Sequence, residues 1–153
     1  MRRGLTAIML LGALGCVGGE PCPFERDAPR RPRPQVCTDR ASLGFAPENA
    51  SSGTPLGTTR TQHLVVSNGG LEPLLIGRLN VEGPLAFTLG EELPTTLASA
   101  QTASVRVQFA PTATGPQTGA LVIESNAENA PRLEVRLWGC GIAADAGTTA
   151  CQP

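Results

Sequence analysis

Seven short runs of strand-forming residues recur along the middle of the chain, and turn residues separate them. In the run 103–109, Val105, Val107 and Phe109 alternate with polar side chains. Because successive side chains of a strand point to opposite sides, such a run has one apolar face and one polar face. The pattern predicts an all-β fold, a β-sandwich of about seven strands. The predicted strands are 42–45, 62–67, 74–81, 85–89, 103–109, 119–124 and 132–138.

The last of these runs carries the strongest candidate for recognition. Its core face consists of Leu133, Val135 and Leu137. The opposite face carries Arg132, Arg136 and Trp138, and Trp and Arg are enriched at binding hot spots. We therefore expect these three side chains to form a binding surface. The alternative is that the tail after Gly141 folds over Trp138, which would give the indole a structural role.

Residues 1–15 have the composition of an export signal, with two arginines, an apolar stretch and then small residues. The apolar stretch is too short to span a bilayer, which needs about 20 residues. Cys16 follows Gly15, and this arrangement resembles the lipobox of bacterial lipoproteins, in which the cysteine becomes the first mature residue and carries the lipid. Since Val17 follows, the enterobacterial sorting pattern favours the outer membrane. Residues 13–15 also fit the small-x-small site of ordinary secretion, which is the alternative.

Five cysteines leave an odd thiol in an exported chain. Lipidation of Cys16 would use one and leave four for two disulfides in an oxidising compartment. We favour Cys22–Cys37 and Cys140–Cys151, because each pair closes a short loop at low entropic cost. The competing arrangement joins Cys37 to Cys140 and Cys22 to Cys151.

These features predict four segments. Residues 1–15 are the signal peptide, and 16–40 are a lipid-anchored linker that is rich in Pro and Arg and lacks an apolar period. Residues 41–142 form the sandwich, and 143–153 are a small, polar C-terminal tail.

Composition argues against several kinds of chemistry. The net charge is −1 and no basic stripe occurs, so nucleic acid is not expected as a partner. The single histidine, His63, has no further ligands at metal-site spacing, and no C-x-x-C pair occurs. Neither a G-x-S-x-G elbow nor a phosphate loop is present. We therefore predict no catalytic residue, no metal and no cofactor.

Four short motifs in order carry a family resemblance. They are 66–70 with Pro73 and Leu74, 107–111 with Gly115, 119–126, and 135–141. Together they resemble the Hydin-like or ASH-type domain of bacterial "choice-of-anchor D" proteins, which is similar to major sperm protein and PapD-like sandwiches. The resemblance implies an immunoglobulin-like β-sandwich that binds or scaffolds other proteins, with no catalytic residue. Cys140 departs from the pattern, because a small or polar residue usually stands between the two terminal glycines.

The combined expectation is a non-enzymatic, lipid-anchored module of the cell envelope. It would display an immunoglobulin-like domain for protein–protein contact or structural scaffolding, with unidentified envelope proteins as partners and the lipid as its membrane contact. The alternative is a secreted or anchored domain that binds envelope polysaccharide, although a single Trp and the lack of Tyr argue against an aromatic sugar platform. The sequence carries no signal of oligomeric state.

Overall fold

The computed structural model describes residues 31–45, 53–143 and 151. The predicted signal peptide, Cys16 and Cys22 lie outside these residues. The described part contains ten β-strands and no helix. They are β1 (Val36–Thr38), β2 (Ser42–Gly44), β3 (Thr54–Pro55), β4 (Arg60–Asn68), β5 (Leu74–Glu82), β6 (Phe87–Leu89), β7 (Thr96–Leu97), β8 (Thr102–Phe109), β9 (Gly115–Ser125) and β10 (Arg132–Ile142).

The strands form two sheets that pack face to face. The first sheet has the order β1-β4-β8-β6, and the second has the order β2-β10-β9-β5-β7, with β3 also paired to β10. The short strands β2 and β3 run parallel to β10, whereas the other pairs are antiparallel. The predicted all-β, immunoglobulin-like sandwich is confirmed, and all seven predicted strands are present.

Alternation along the strands places the core between the sheets. Val105, Val107 and Phe109 of β8 are fully buried, as the sequence pattern predicts. The centre of the core is a cluster of three rings, Phe45, Phe87 and Phe109. Phe109 lies 5.6 Å from Phe45 and 4.7 Å from Phe87 between ring centroids, within the range of favourable aromatic pairs. With only four Phe and one Trp in the chain, aliphatic side chains supply the rest of the core.

Strand β1 lies inside the segment predicted to be a linker. It pairs with β4, with Val36 opposite Asn68, and Val36 is only 2% exposed. On the other edge of β1, the Asn129 side chain binds the backbone of Val36. The Asn129 Oδ1 accepts the Val36 N–H at 2.9 Å, and the Asn129 Nδ2 donates to the Val36 carbonyl at 2.8 Å. The folded part of the chain therefore starts ahead of residue 41, which corrects the boundary predicted at residue 40.

Cysteine pairing agrees with the favoured arrangement where the structure describes both partners. Cys140 is bonded to Cys151, with 5.8 Å between their Cα atoms. This bond confirms the predicted pair and eliminates Cys37–Cys140. Cys37 is itself disulfide-bonded. Its predicted partner, Cys22, lies outside the described residues, so that pairing stays a prediction.

Candidate functional site

The candidate binding residues lie on the outer face of the second sheet, the side turned away from the core. Arg132, Arg136 and Trp138 lie on the same face of β10 as Glu134 and are all exposed, whereas Leu133, Val135 and Leu137 on the opposite face are buried. Trp138 keeps 42% of its surface exposed. The structure thus brings the three predicted residues to one face, but it gives them different surroundings.

Arg132 is occupied by carboxylates of its own chain. Its guanidinium pairs with Glu82 of β5 at 3.1 Å, Glu124 of β9 at 3.3 Å and Glu134 of β10 at 3.0 Å. Hydrogen bonds from Arg132 hold the pKa of Glu82 below its ordinary value, and the bonds to Glu82 and Glu134 raise the pKa of Arg132. Because this side chain already has three partners, we assign it a structural role rather than direct binding.

The Arg132 side chain crosses the sheet over Val122. The register of β9 places Val122 between Glu134 on β10 and Asn80 on β5. Val122 is fully buried, yet it does not belong to the core between the sheets. The link from Arg132 on β10 to Glu82 on β5 passes over this position, so the aliphatic part of the arginine can shield Val122. The network therefore ties three strands together on their outer side.

Trp138 lies across a glycine of the neighbouring strand. The parallel register pairs Trp138 of β10 with Gly44 of β2. A Cβ at Gly44 would lie 2.6 Å from the indole Nε1 and 2.8 Å from Cε2, so the indole packs directly over the Gly44 backbone. Two residues further along the same face, the buried Cys140 is bonded to Cys151. The indole is thus backed by protein on one side and open to solvent on another.

Arg136 is the exposed cation next to Trp138. It makes no ion pair within the described part of the chain. Among the described strands β5, β9 and β10, the one further charged side chain on this face outside the Arg132 network is Arg78 on β5. Trp138 and Arg136 are therefore the two predicted residues that remain available to a partner.

Comparison with known proteins identifies the family of the domain. Residues 50–142 match the family Cep192 domain 4. The chain belongs to this family. No curated protein gives a significant match.

Solved structures similar to this family member share its fold. The ASH/PapD-like domain of human CEP192 (PapD-like domain 7) has a TM-score of 0.54 at 20% identity, over 78% of this chain and 93% of that one. A Porphyromonas gingivalis W83 protein of unknown function has a TM-score of 0.58 at 15% identity, over 76% of this chain and 51% of that one. The secreted serine protease VesC of Vibrio cholerae has a TM-score of 0.50 at 16% identity, over 71% of this chain and 23% of that one. At these identities the likeness concerns the fold alone, and it agrees with the predicted ASH-type resemblance.

In this Cep192 domain 4 family member, Asn68 of the first resemblance motif is structural. Its Oδ1 accepts the N–H groups of Gln35 and Gly70 at 3.3 and 2.9 Å. Its Nδ2 donates to the carbonyls of Glu72 and Leu97 at 2.8 and 3.0 Å. The asparagine is buried and joins the segment before β1, the turn after β4 and strand β7.

Sequence reasoning missed one feature of the outer face. An open groove of about 560 Å³ lies where β5 and β9 change register, beside the exposed Leu75 and Gly77. A β-bulge leaves no clear mark on apolar alternation, so the pattern could not indicate it. Glycine at 77 was its only local signal.

The remaining sequence candidates do not form a reactive site. His63 is an exposed side chain of β4, opposite Arg106 of β8. Within the described residues, no group of three His, Cys, Asp or Glu side chains could hold a metal ion. The described residues also contain no helix with the length and apolar character needed to cross a membrane.

Proposed function

We propose that the chain is a non-enzymatic module of the bacterial cell envelope that presents its immunoglobulin-like domain for protein–protein contact. The observation that carries the proposal is the geometry of Trp138. This indole is the only tryptophan of the chain, and the Gly44 backbone supports it while 42% of its surface stays exposed. A half-exposed aromatic side chain that already packs against its own protein loses little entropy on binding and is a common anchor of protein interfaces.

The surroundings of Trp138 favour a protein partner over other ligands. Arg136, two positions away, adds a cation that makes no ion pair with the described residues, and Arg is enriched at protein interfaces, as is Trp. Three arginines and three glutamates share the outer face of β5, β9 and β10, so it has no excess of positive charge for nucleic acid. They are Arg78, Arg132, Arg136, Glu82, Glu124 and Glu134.

The location rests on the sequence before the described residues. The export-signal pattern of 1–15 and Cys16 support lipid attachment, with the outer membrane favoured by Val17. The disulfides support an oxidising compartment, because such bonds persist outside the cytosol. A lipid at Cys16 would hold the sandwich at the envelope surface through the segment that leads to β1.

A binding comparison tests the protein-contact proposal. Envelope proteins captured by the wild type are compared with those captured by Trp138→Ala and Arg136→Ala, with His63→Ala on the other sheet as the control. We expect Trp138→Ala to reduce capture at least about tenfold, since hot-spot truncations cost about 2 kcal/mol or more. Equal capture by Trp138→Ala and wild type would contradict the proposal. Trp138-dependent binding to purified envelope polysaccharide would support the carbohydrate alternative.

Fatty-acid labelling tests the anchor separately. Wild-type protein should incorporate a radioactive fatty acid, and Cys16→Ser should not. The matched control is Cys140→Ser, which removes another cysteine but should leave labelling intact. A wild-type chain without label would contradict lipidation and leave the binding proposal standing.

A further inference from the structure

Strand β5 has an open edge. Along one side it pairs with β9 from Ile76 to Glu82. On the other side β7 pairs only with Leu74 and Leu75, and the Ile76 N–H reaches the carbonyl of Thr95. Within the described residues, no backbone partner lies on that side from residue 77 to 82. Such an edge presents unpaired N–H and carbonyl groups to any extended chain of matching register.

The two faces of this edge segment differ in character. Leu79 and Val81 point inward and are only partly buried where they pack against the core. Arg78, Asn80 and Glu82 point outward on the same side as Arg132. Natural edges are commonly protected by proline, by bulges or by charged side chains. Residues 78–82 contain no proline, and their two charged side chains, Arg78 and Glu82, have opposite signs, so a second copy can pair with both. The register shift at Gly77 limits the open edge at one end only.

Residues 78–82 are complementary to the same residues of a second copy when the two strands run antiparallel. In an antiparallel pair of two copies centred on Asn80, Arg78 lies opposite the second copy's Glu82, and Leu79 lies opposite its Val81. Opposite charges and apolar pairs directly across an antiparallel ladder are stabilising. A shift by one residue would place apolar against polar faces, and a shift by two would break both charge pairs. One register is therefore favoured.

Arg78 and Asn80 of this edge are partnered differently in the single copy. Arg78 is exposed and makes no ion pair within the described part of the chain. The Asn80 Oδ1 is buried and has no hydrogen-bond donor among the described residues, whereas the Asn80 side chain forms a hydrogen bond with the Glu82 carboxylate. The exposed Arg78 is therefore the side chain of this edge that the second copy's Glu82 would pair with.

We propose that two copies of the chain associate through residues 77–82 of β5, antiparallel around Asn80, so that their second sheets join into one continuous sheet. The interface is isologous, since the same residues serve both copies, and this geometry closes as a dimer. The outer-face pair Trp138 and Arg136 lies on β10, away from the β5 edge in the sheet order, and remains open in the dimer. The proposal depends neither on the lipid nor on a Trp138 ligand.

Charge exchange tests the register. The full chain is purified in detergent, and its mass is measured by sedimentation under density-matched conditions. Wild type should be a dimer. Arg78→Glu and Glu82→Arg, each alone, should raise the dissociation constant at least about tenfold, because each variant places like charges opposite one another twice. A mixture of the two variants should restore dimers, since one copy then carries two acidic and the other two basic residues at these positions.

Arg136→Glu is the matched control, because it reverses an exposed arginine on the same face without touching the edge. It should leave the dissociation constant unchanged. Circular dichroism checks that Glu82→Arg, which removes one partner of Arg132, keeps its fold. A monomeric wild type would overturn the proposal. So would a dimer that Arg78→Glu does not weaken, or folded single variants whose mixture stays monomeric.

Discussion

Two glycines beside aromatic rings should lose very different amounts of stability when a methyl group is added. In Gly139→Ala, the new Cβ would lie 2.6 Å from the ring of the fully buried Phe109, which cannot retreat. We expect a loss of about 1–3 kcal/mol of unfolding free energy from overpacking. In Gly44→Ala, the new Cβ meets the exposed Trp138 indole, which can swing into solvent. The loss there should stay below about 0.5 kcal/mol, as for other surface changes.

Urea denaturation and tryptophan fluorescence distinguish the two outcomes. Since the chain has one Trp, its emission reports Trp138 alone. Gly44→Ala should shift the native emission to longer wavelength, whereas Gly139→Ala should lower the denaturation midpoint with little spectral change. A native spectrum unchanged by Gly44→Ala would show that the indole does not rest on this glycine.

At the scale of single residues, the sequence predicts which side chains are buried better than it predicts which side chains contact one another. Alternation identifies the buried positions of β8 and β10, such as Val107 and Val135, because the strand period is local. It also places Trp138 and Arg132 on one face. It cannot show that Arg132 is bound to Glu82, since the two lie 50 residues apart and meet only through the order β10-β9-β5.

At the scale of the strands, Asn68 joins several elements. Asn68→Ala removes four hydrogen bonds, and the three of them to Gln35, Gly70 and Leu97 are buried. We expect a loss of about 3 kcal/mol in unfolding free energy, measured by urea denaturation. Gln117→Ala removes one exposed hydrogen bond and should change it by less than about 0.5 kcal/mol. Equal effects of the two substitutions would contradict the role of Asn68.

The Arg132 network predicts a loss of stability in acid. The hydrogen bonds from Arg132 lower the pKa of Glu82 in the folded state. A lowered pKa gives stability that is present above the unfolded value, about 4.3 for Glu, and is lost as the pH falls through the folded value. The thermal midpoint should therefore decline below about pH 4. Glu82→Gln should flatten part of this decline, and Glu72→Gln, outside the network, should not. An identical profile for wild type and Glu82→Gln would count against the network.

Strand prediction succeeds for the five long strands and for the short strands β2 and β6, and it fails for the short strands β1, β3 and β7. The seven runs that alternate or concentrate strand formers all appear, because tertiary packing and local pattern agree there. Strands β1, β3 and β7 have only two or three residues, too few to display a period. They are fixed by side chains and neighbours from elsewhere, such as Asn129 beside Val36. For the same reason the sequence pattern assigns residues 36–38 to the Pro-rich linker, whereas they form β1.

At the scale of the whole molecule, the last prediction concerns the Cys140–Cys151 disulfide. Cys140 lies on the outer face of β10 and is not part of the core between the sheets. The bond spans a sequence separation of 11, so its main effect is to restrict the unfolded chain. Cys140→Ala/Cys151→Ala should remain folded with an unchanged far-UV circular dichroism spectrum, but lose about 2–3 kcal/mol of unfolding free energy. Cys151→Ala alone tests whether an unpaired Cys140 costs more. An unfolded double variant would show that the tail contributes to the core, and a variant of wild-type stability would show that the bond only ties down the tail.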